Sequence, residues 1–206
     1  MATSRKTERA AGAEQGSGRR EQLLAIAARL IATRGYSATT VRDIADEAGI
    51  LSGSLYHHFS SKETILDEVL RTFMVGLRER CEEIAEKGGG ALHMFDELVR
   101  TAFRTIEQQP DAVGIYQNEA AFLAKLPGFE FVAQEGAKIE AIWQNVIQDG
   151  QREGVFRADL DSAMTYRFIR DGMWSSVRWF RPGGRHSAES AGRHFLELIH
   201  SGLLQD

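Results

Sequence analysis

Ser52, Gly53, Ser54, Tyr56 and His57 stand close together, with Leu55 and Phe59 among them at a spacing of four. In a helix that spacing turns Leu55 and Phe59 to one side and leaves the small and hydrogen-bonding residues on the other. Such a face suits a nucleic acid. Gly53 lets backbone approach closely, Ser54 can bond a base or a phosphate, and Tyr56 and His57 can donate to phosphate oxygens. A second constellation lies far along the chain. Arg170 and Trp174 are four apart, beside the apolar stripe Tyr166, Ile169, Met173 and Val177. An arginine there is costly unless its charge is answered. Asp171 or Glu119 could answer it as an ion pair. An anionic ligand group could answer it from outside, with Trp174 packed on an apolar or planar part of the same ligand. Tyr166, Tyr116 and Gln117 are further pocket candidates, and Arg178, Arg181 and Arg185 continue the positive charge toward phosphates.

Other chemistries lack their residues. Cys81 is the only cysteine, so neither a disulfide framework nor a cysteine-rich zinc site can form. His57 and His58 are adjacent, which turns them about 100° apart on a helix and makes them poor joint metal ligands. Gly16-Ser17-Gly18 follows no strand, so it is no dinucleotide loop. No nucleophile elbow or ordered Ser/His/Asp set appears. The expectation is a protein that binds rather than catalyses, with no cofactor and no metal.

The elements that must position these residues are helices. Only three prolines occur, at 110, 127 and 182, and apolar periods near 3.6 dominate. Residues 1–18 have no large apolar side chain beyond Met1 and are predicted to be a disordered tail, from which Arg5, Lys6 and Arg9 could reach a DNA groove. The first helix spans 19–34, with Leu23, Ile26, Ala27, Leu30 and Ile31 on one stripe and Gly35 closing it. Thr40 caps a short second helix over 41–48. Gly49 turns the chain, Ser52 caps a third helix over 53–59, and Ser61 caps a long fourth one to about Lys87. Its stripe includes Cys81, read as a small buried hydrophobe. Gly88-Gly89-Gly90 breaks the chain before a fifth helix carrying Phe95, Leu98 and Phe103. Pro110 opens the sixth, the seventh spans 130–152, Asp159 or Asp161 caps an eighth that runs to Pro182, and Ser187 caps a ninth to about Leu204.

On the eighth helix Phe168, Gly172, Ser175, Ser176 and Trp179 share a face with small residues at its middle. With Ala191, Phe195, Leu198, Ile199 and Gly202 of the ninth, this face reads as a dimer interface; an intrachain core would use the same pattern. Charge is unevenly spread. Residues 1–62 carry 9 Lys/Arg against 6 Asp/Glu, whereas the remainder carries 16 against 23, so a mildly basic head precedes an acidic body. That permits DNA binding by the head. No run of about 18 apolar residues exists, and no membrane partner is expected.

Periodicity alone would fit any small helical hairpin at 41–59. The literal residues are more specific. Thr39-Thr40-Val41-Arg42-Asp43-Ile44-Ala45, Ala48-Gly49-Ile50 and Gly53-Ser54-Leu55-Tyr56-His57-His58-Phe59-Ser60-Ser61-Lys62-Glu63 closely resemble the DNA-binding signature of TetR-family repressors, over about 19–70. The resemblance implies an all-α, nine-helix homodimer. Its helix-turn-helix DNA-binding domain would span 19–65 and its ligand-binding and dimerisation domain 66–206. It implies phosphate contacts from Thr40 and Lys62, with Arg42 beside them, and groove reading by Ser52, Gly53, Ser54, Tyr56 and His57.

A narrower likeness runs through Ile115-Tyr116-Gln117, Tyr166-Arg167-Phe168-Ile169-Arg170-Asp171, Val177-Arg178-Trp179 and Arg181-Pro182-Gly183-Gly184. These strings look like those of the subgroup that represses late sterol-degradation genes. That implies a cytoplasmic repressor on palindromic double-stranded operator DNA, released by a steroid-derived coenzyme A thioester. Another acyl-CoA or hydrophobic ligand is the alternative inducer, and a helical CoA-thioester enzyme the competing class.

Overall fold

The computed structural model describes residues 2–205, with side chains at 18–119 and 122–205. Among the described residues there are nine α-helices, one 3-10 turn and no strand, apart from a single antiparallel bridge between Phe156 and Leu204. The chain divides into two compact units, 1–69 and 70–206.

The first unit holds α1 (Ala2–Arg34), α2 (Val41–Glu47), α3 (Ser52–Tyr56) and the start of α4 (Lys62–Lys87). Its core is Leu23, Ala27, Leu30, Ile44, Ala45, Leu55, Phe59 and Ile65, all nearly inaccessible. These are the apolar positions that the helical period sets on one face of each segment. The α1 helix begins at Ala2, so its backbone includes 2–18. Ala, Arg, Glu, Lys and Gln there are good helix formers and no proline interrupts them, so local propensity accounts for a stretch with little to bury. The proposed groove contacts of Arg5, Lys6 and Arg9 lie outside the described side chains.

The turn between α2 and α3 is tight. Gly49 has φ +66, a left-handed conformation that favours glycine. The Ile50 amide then donates to Ala45 O at 3.0 Å, tying α3 back to α2. Ser52 is not the cap of α3, as expected, but its first residue. Leu51 holds the capping position; its hydrocarbon side chain can make no capping hydrogen bond, and only its carbonyl takes part, accepting the Ser54 amide at 2.9 Å. The helix also ends at Tyr56, three residues early, and continues to Phe59 as turns onto Leu55 O.

The second unit contains the rest of α4 with α5 (Ala91–Gln108), α6 (Pro110–Leu123), α7 (Glu130–Arg152), α8 (Ser162–Ser175) and α9 (Ala188–Leu203). The α5 helix packs along α9 and α7. The ring of Phe95 lies at its centre, 5.8 Å from Trp143 and 5.4 Å from Phe156. Asp161 caps α8 by accepting the Met164 amide at 2.7 Å, and Ser187 caps α9. The eighth helix does not reach Pro182, as expected. It stops at Ser175 and tightens into a 3-10 turn, Ser176–Arg178. Two consecutive hydroxyls explain this. Ser175 Oγ donates to Gly172 O at 3.1 Å and Ser176 Oγ to Met173 O at 2.6 Å, competing with the helical ladder.

Candidate nucleic-acid interface and ligand cavity

The first unit presents one polar face. Leu55 and Phe59 are 1% and 2% exposed, while Gly53, Ser54, Tyr56 and His57 are exposed and Ser52 is half-buried. The sequence therefore divides α3 as its spacing predicted. His58 is half-buried with its ring 6.4 Å from Phe59, a packing position. The structure adds Leu51, an apolar side chain 80% exposed near Ser52 and Ser54, which has no hydrogen-bonding group to mark it in the sequence.

Thr40 and Lys62 are engaged within the chain. Thr40 forms a capping box with Asp43: the Asp43 amide donates to Thr40 Oγ1 at 3.1 Å, and the Thr40 amide donates to Asp43 Oδ2 at 2.7 Å. The bonds from the Thr40 side chain and backbone hold the Asp43 carboxyl below its usual range. Lys62 Nζ donates to Tyr36 O and Thr39 O, each at 2.7 Å, and sits 4.0 Å from the Tyr36 ring centre. Two of its three donors are thereby used, leaving one for a phosphate. Arg42 is well exposed and only loosely paired with Asp46, at 3.7 Å.

The second unit contains a cavity of about 640 Å3. Four helices of this unit wall it: Met74 and Leu77 from α4, Tyr116 from α6, Gly136 and Glu140 from α7, and Tyr166, Arg170 and Trp174 from α8. The connection 124–129 contributes Leu126 and Phe129. A Cβ on Gly136 would lie 3.9 Å from both Met74 Cε and Tyr116 Oη, so the absent side chain helps keep the space open.

Four of the seven proposed ligand residues, Arg170, Trp174, Tyr116 and Tyr166, converge on this cavity. The other three do not. Gln117 is half-buried away from the lining, since a helix turns about 100° between it and Tyr116. Arg178 and Arg181 are exposed outside the lining because α8 ends before them, and Arg181 Nη1 instead donates to Phe180 O at 2.9 Å. The α4, α7 and connecting residues were missed. Their signal was the small spacing Ala133, Gly136 and Ala137 on α7, where a packed helix would carry larger side chains.

The cavity is chiefly apolar with a few polar groups. Arg170 is one-third exposed; its Nε donates to Asp171 Oδ1 at 2.9 Å, which leaves the Nη groups for a ligand. Burial opposes its charge, but the Asp171 bond and nearby Tyr166 and Tyr116 raise its pKa on balance. Burial pushes the phenols of Tyr116 and Tyr166 upward, so both remain protonated donors. Trp174 is 6% exposed and meets Phe73 edge-on at 6.1 Å. Cys81 is buried and its thiol is pushed up to about 12 by burial, which suits a packing role.

Phe168, Trp179 and Leu198 are 74%, 60% and 63% exposed, with Gly172 and Ser175 also at the surface. Phe195 and Ile199 are half-buried. A Cβ on Gly172 would lie 3.3 Å from Phe195 Cε2, so the small residue admits the ring of α9 against α8. Among the described residues no cluster could hold a metal ion, and no helix is long and apolar enough to cross a membrane.

Two family models match the chain: bacterial regulatory proteins of the tetR family over residues 23–69, and the tetracycline repressor-like C-terminal domain over 90–203. The chain belongs to the TetR family of bacterial regulatory proteins. It is 47% identical to the HTH-type transcriptional repressor KstR2 of Mycolicibacterium smegmatis over 191 residues, which cover 93% of each chain. Against KstR2 of Mycobacterium tuberculosis the identity is 45% over 199 residues, 97% of this chain and 98% of that one. The solved structure of the ketosteroid transcriptional regulator KstR2 of Mycobacterium tuberculosis superposes with a TM-score of 0.88, covering 91% of this chain and 96% of that one at 45% identity. This TetR-family protein is therefore a DNA-binding transcriptional repressor and not an enzyme.

Proposed function

We propose that this repressor acts in the cytoplasm as a homodimer on palindromic operator DNA and is released by a steroid-derived coenzyme A thioester, so controlling sterol ring catabolism. The cavity carries the reading. Its volume of about 640 Å3 lies within the range of small-molecule sites, and its apolar walls with Arg170, Tyr116 and Tyr166 suit fused rings attached to a polar chain. Trp174 packs on the rings, while the Nη groups of Arg170 bond the carbonyl or an anionic group of the ligand. The likeness to a ketosteroid regulator supports the ligand class. The groups meeting DNA are Thr40, Arg42 and Lys62 for phosphate, with Ser52, Gly53, Ser54, Tyr56 and His57 in the groove.

Release follows from linkage. A dimer engages half-sites roughly 34–36 Å apart, and a ligand that binds better to a conformation with another spacing draws the population away from DNA. The α4 helix begins at Lys62 and also supplies Met74 and Leu77 to the cavity, so the phosphate-contact residue Lys62 and part of the cavity wall lie on one continuous stretch of chain.

The test is a mobility shift on the DNA upstream of its own gene, at fixed salt, with long-chain acyl-CoA and steroid-derived CoA thioesters as separate additions. Release by the steroid-derived thioester alone is expected. Release by any acyl-CoA would move the inducer to the wider class, and binding unmoved by either would discard the thioester. Arg170→Met should keep operator affinity and weaken the response to inducer about ten-fold or more, the value of a lost charge-assisted bond. A wild-type response in that variant would remove Arg170 from the site.

A further inference from the structure

The most exposed large apolar side chain among the described residues is Leu51, at 80%. It does not belong to the apolar face of the proposed dimer. It stands in the first unit, at the capping position of α3, next to Ser52 and three residues before Ser54. Its backbone is fixed: the Leu51 carbonyl accepts the Ser54 amide at 2.9 Å and the Leu55 amide at 3.4 Å, and the preceding Ile50 amide is bonded to Ala45 O. A capping position usually carries Ser, Thr, Asp or Asn, whose oxygen would satisfy an amide of the first turn. This chain forgoes that bond and holds a four-carbon side chain in water on a rigid turn.

DNA supplies one partner that fits. The major groove displays a single large apolar group, the C5-methyl of thymine, and an aliphatic side chain recognises it by contact. Ser52, Ser54, Tyr56 and His57 hydrogen-bond bases or phosphates; none of them offers aliphatic surface to a methyl.

We infer that Leu51 is a specificity-determining residue that packs on a thymine methyl in each operator half-site. The inference rests on the recognition face proposed above. A Leu–methyl contact removes about one methyl group and the facing part of the side chain from water, an effect of about four-fold in affinity per half-site and about fifteen-fold for a dimer. The contact carries no charge, so it changes sequence preference without changing the salt dependence of binding.

The test uses the full-length protein and a DNA duplex it selects from a random library. Each thymine of a half-site, and its symmetry mate, is replaced in turn by deoxyuridine, which lacks only the methyl. Dissociation constants are read by fluorescence anisotropy for wild type, Leu51→Ala and Ser54→Ala. One symmetric replacement is expected to weaken wild-type binding about fifteen-fold. Leu51→Ala should lose a similar factor on the thymine duplex, lose nothing further on that uracil duplex, and keep the wild-type melting temperature and salt slope. If no replacement weakens wild type, or if the same loss persists in Leu51→Ala, Leu51 reads no methyl. Ser54→Ala separates this failure from that of the face: normal binding by both Ser54→Ala and Leu51→Ala would overturn the recognition face itself, as would the absence of any selected duplex.

Discussion

At the scale of the residue, several polar side chains near the DNA-facing turn act first on the protein itself. Lys62 holds the carbonyls of Tyr36 and Thr39, and Tyr36 in turn donates its hydroxyl to Glu63 Oε1 at 2.7 Å. The chain entering α2 is thus fixed from the first turn of α4. The Tyr36 bond is the main reason the Glu63 carboxyl sits below its ordinary range. The sign of the linkage follows. A depressed carboxylate stabilises the fold fully above its unfolded pKa, and the contribution fades as pH falls through the lower folded value. Tyr36→Phe should therefore destabilise the protein at neutral pH by about 1 kcal/mol, a figure discounted for the exposure of Glu63. The difference from wild type should shrink below about pH 4, near the ordinary carboxylate range. Urea denaturation at pH 7 and pH 3.5 checks this; a gap unchanged between the two would mean that the bond to Glu63 contributes nothing.

At the scale of the element, α7 shows what a helical period reveals and what it hides. Its apolar residues Ile139, Trp143, Val146 and Ile147 are buried as their spacing requires. Gly150 is different: a Cβ there would lie 2.1 Å from Cδ2 of the Phe156 ring. Gly150→Ala should lower stability by about 1–3 kcal/mol despite the better helix propensity of alanine, because the ring cannot yield without disturbing its contact with Phe95. A thermal melt at or above the wild-type value would show that the ring relocates freely. The same helix explains which parts of the site were legible. Leu55 and Phe59 sort α3 into two faces because each face has a chemical signature. The cavity wall at Ala133, Gly136 and Ala137 is marked only by the smallness of its residues, a fainter signature, since empty space places no chemistry-bearing residue type behind it. The early end of α8 was equally hidden. Periodicity carries Trp179 and Arg181 onward, whereas the hydroxyls of Ser175 and Ser176 compete for the carbonyls of Gly172 and Met173 where the helix ends. Arg178 and Arg181 lie beyond that end, outside the cavity lining.

At the scale of the whole molecule, the acidic second unit exposes Phe168, Trp179 and Leu198 together with the small Gly172 and Ser175. Isolated exposed apolar residues need no explanation, but large ones on α8, on the turn after it and on α9 are characteristic of a surface covered in the working assembly. The proposed two-fold contact would place Phe168 and Leu198 against their copies, around the close approach that Gly172 permits. A negative charge at its centre must then be buried without a partner, at a cost of several kcal/mol because both copies carry it. Leu198→Glu should therefore be a monomer at micromolar concentration by sedimentation velocity, with its helical circular dichroism retained at low temperature. Its operator affinity should fall by a factor of about 100 or more, since two half-sites engaged independently lose the effective concentration that one dimer provides. Its salt slope should fall by about half, since each monomer neutralises only its own phosphates. A Leu198→Glu protein that remains dimeric and binds normally would place the interface elsewhere and return Phe168, Trp179 and Leu198 to ordinary surface. A monomer that still grips a single half-site would instead show that the first unit binds DNA unaided, with the dimer supplying only the second grip.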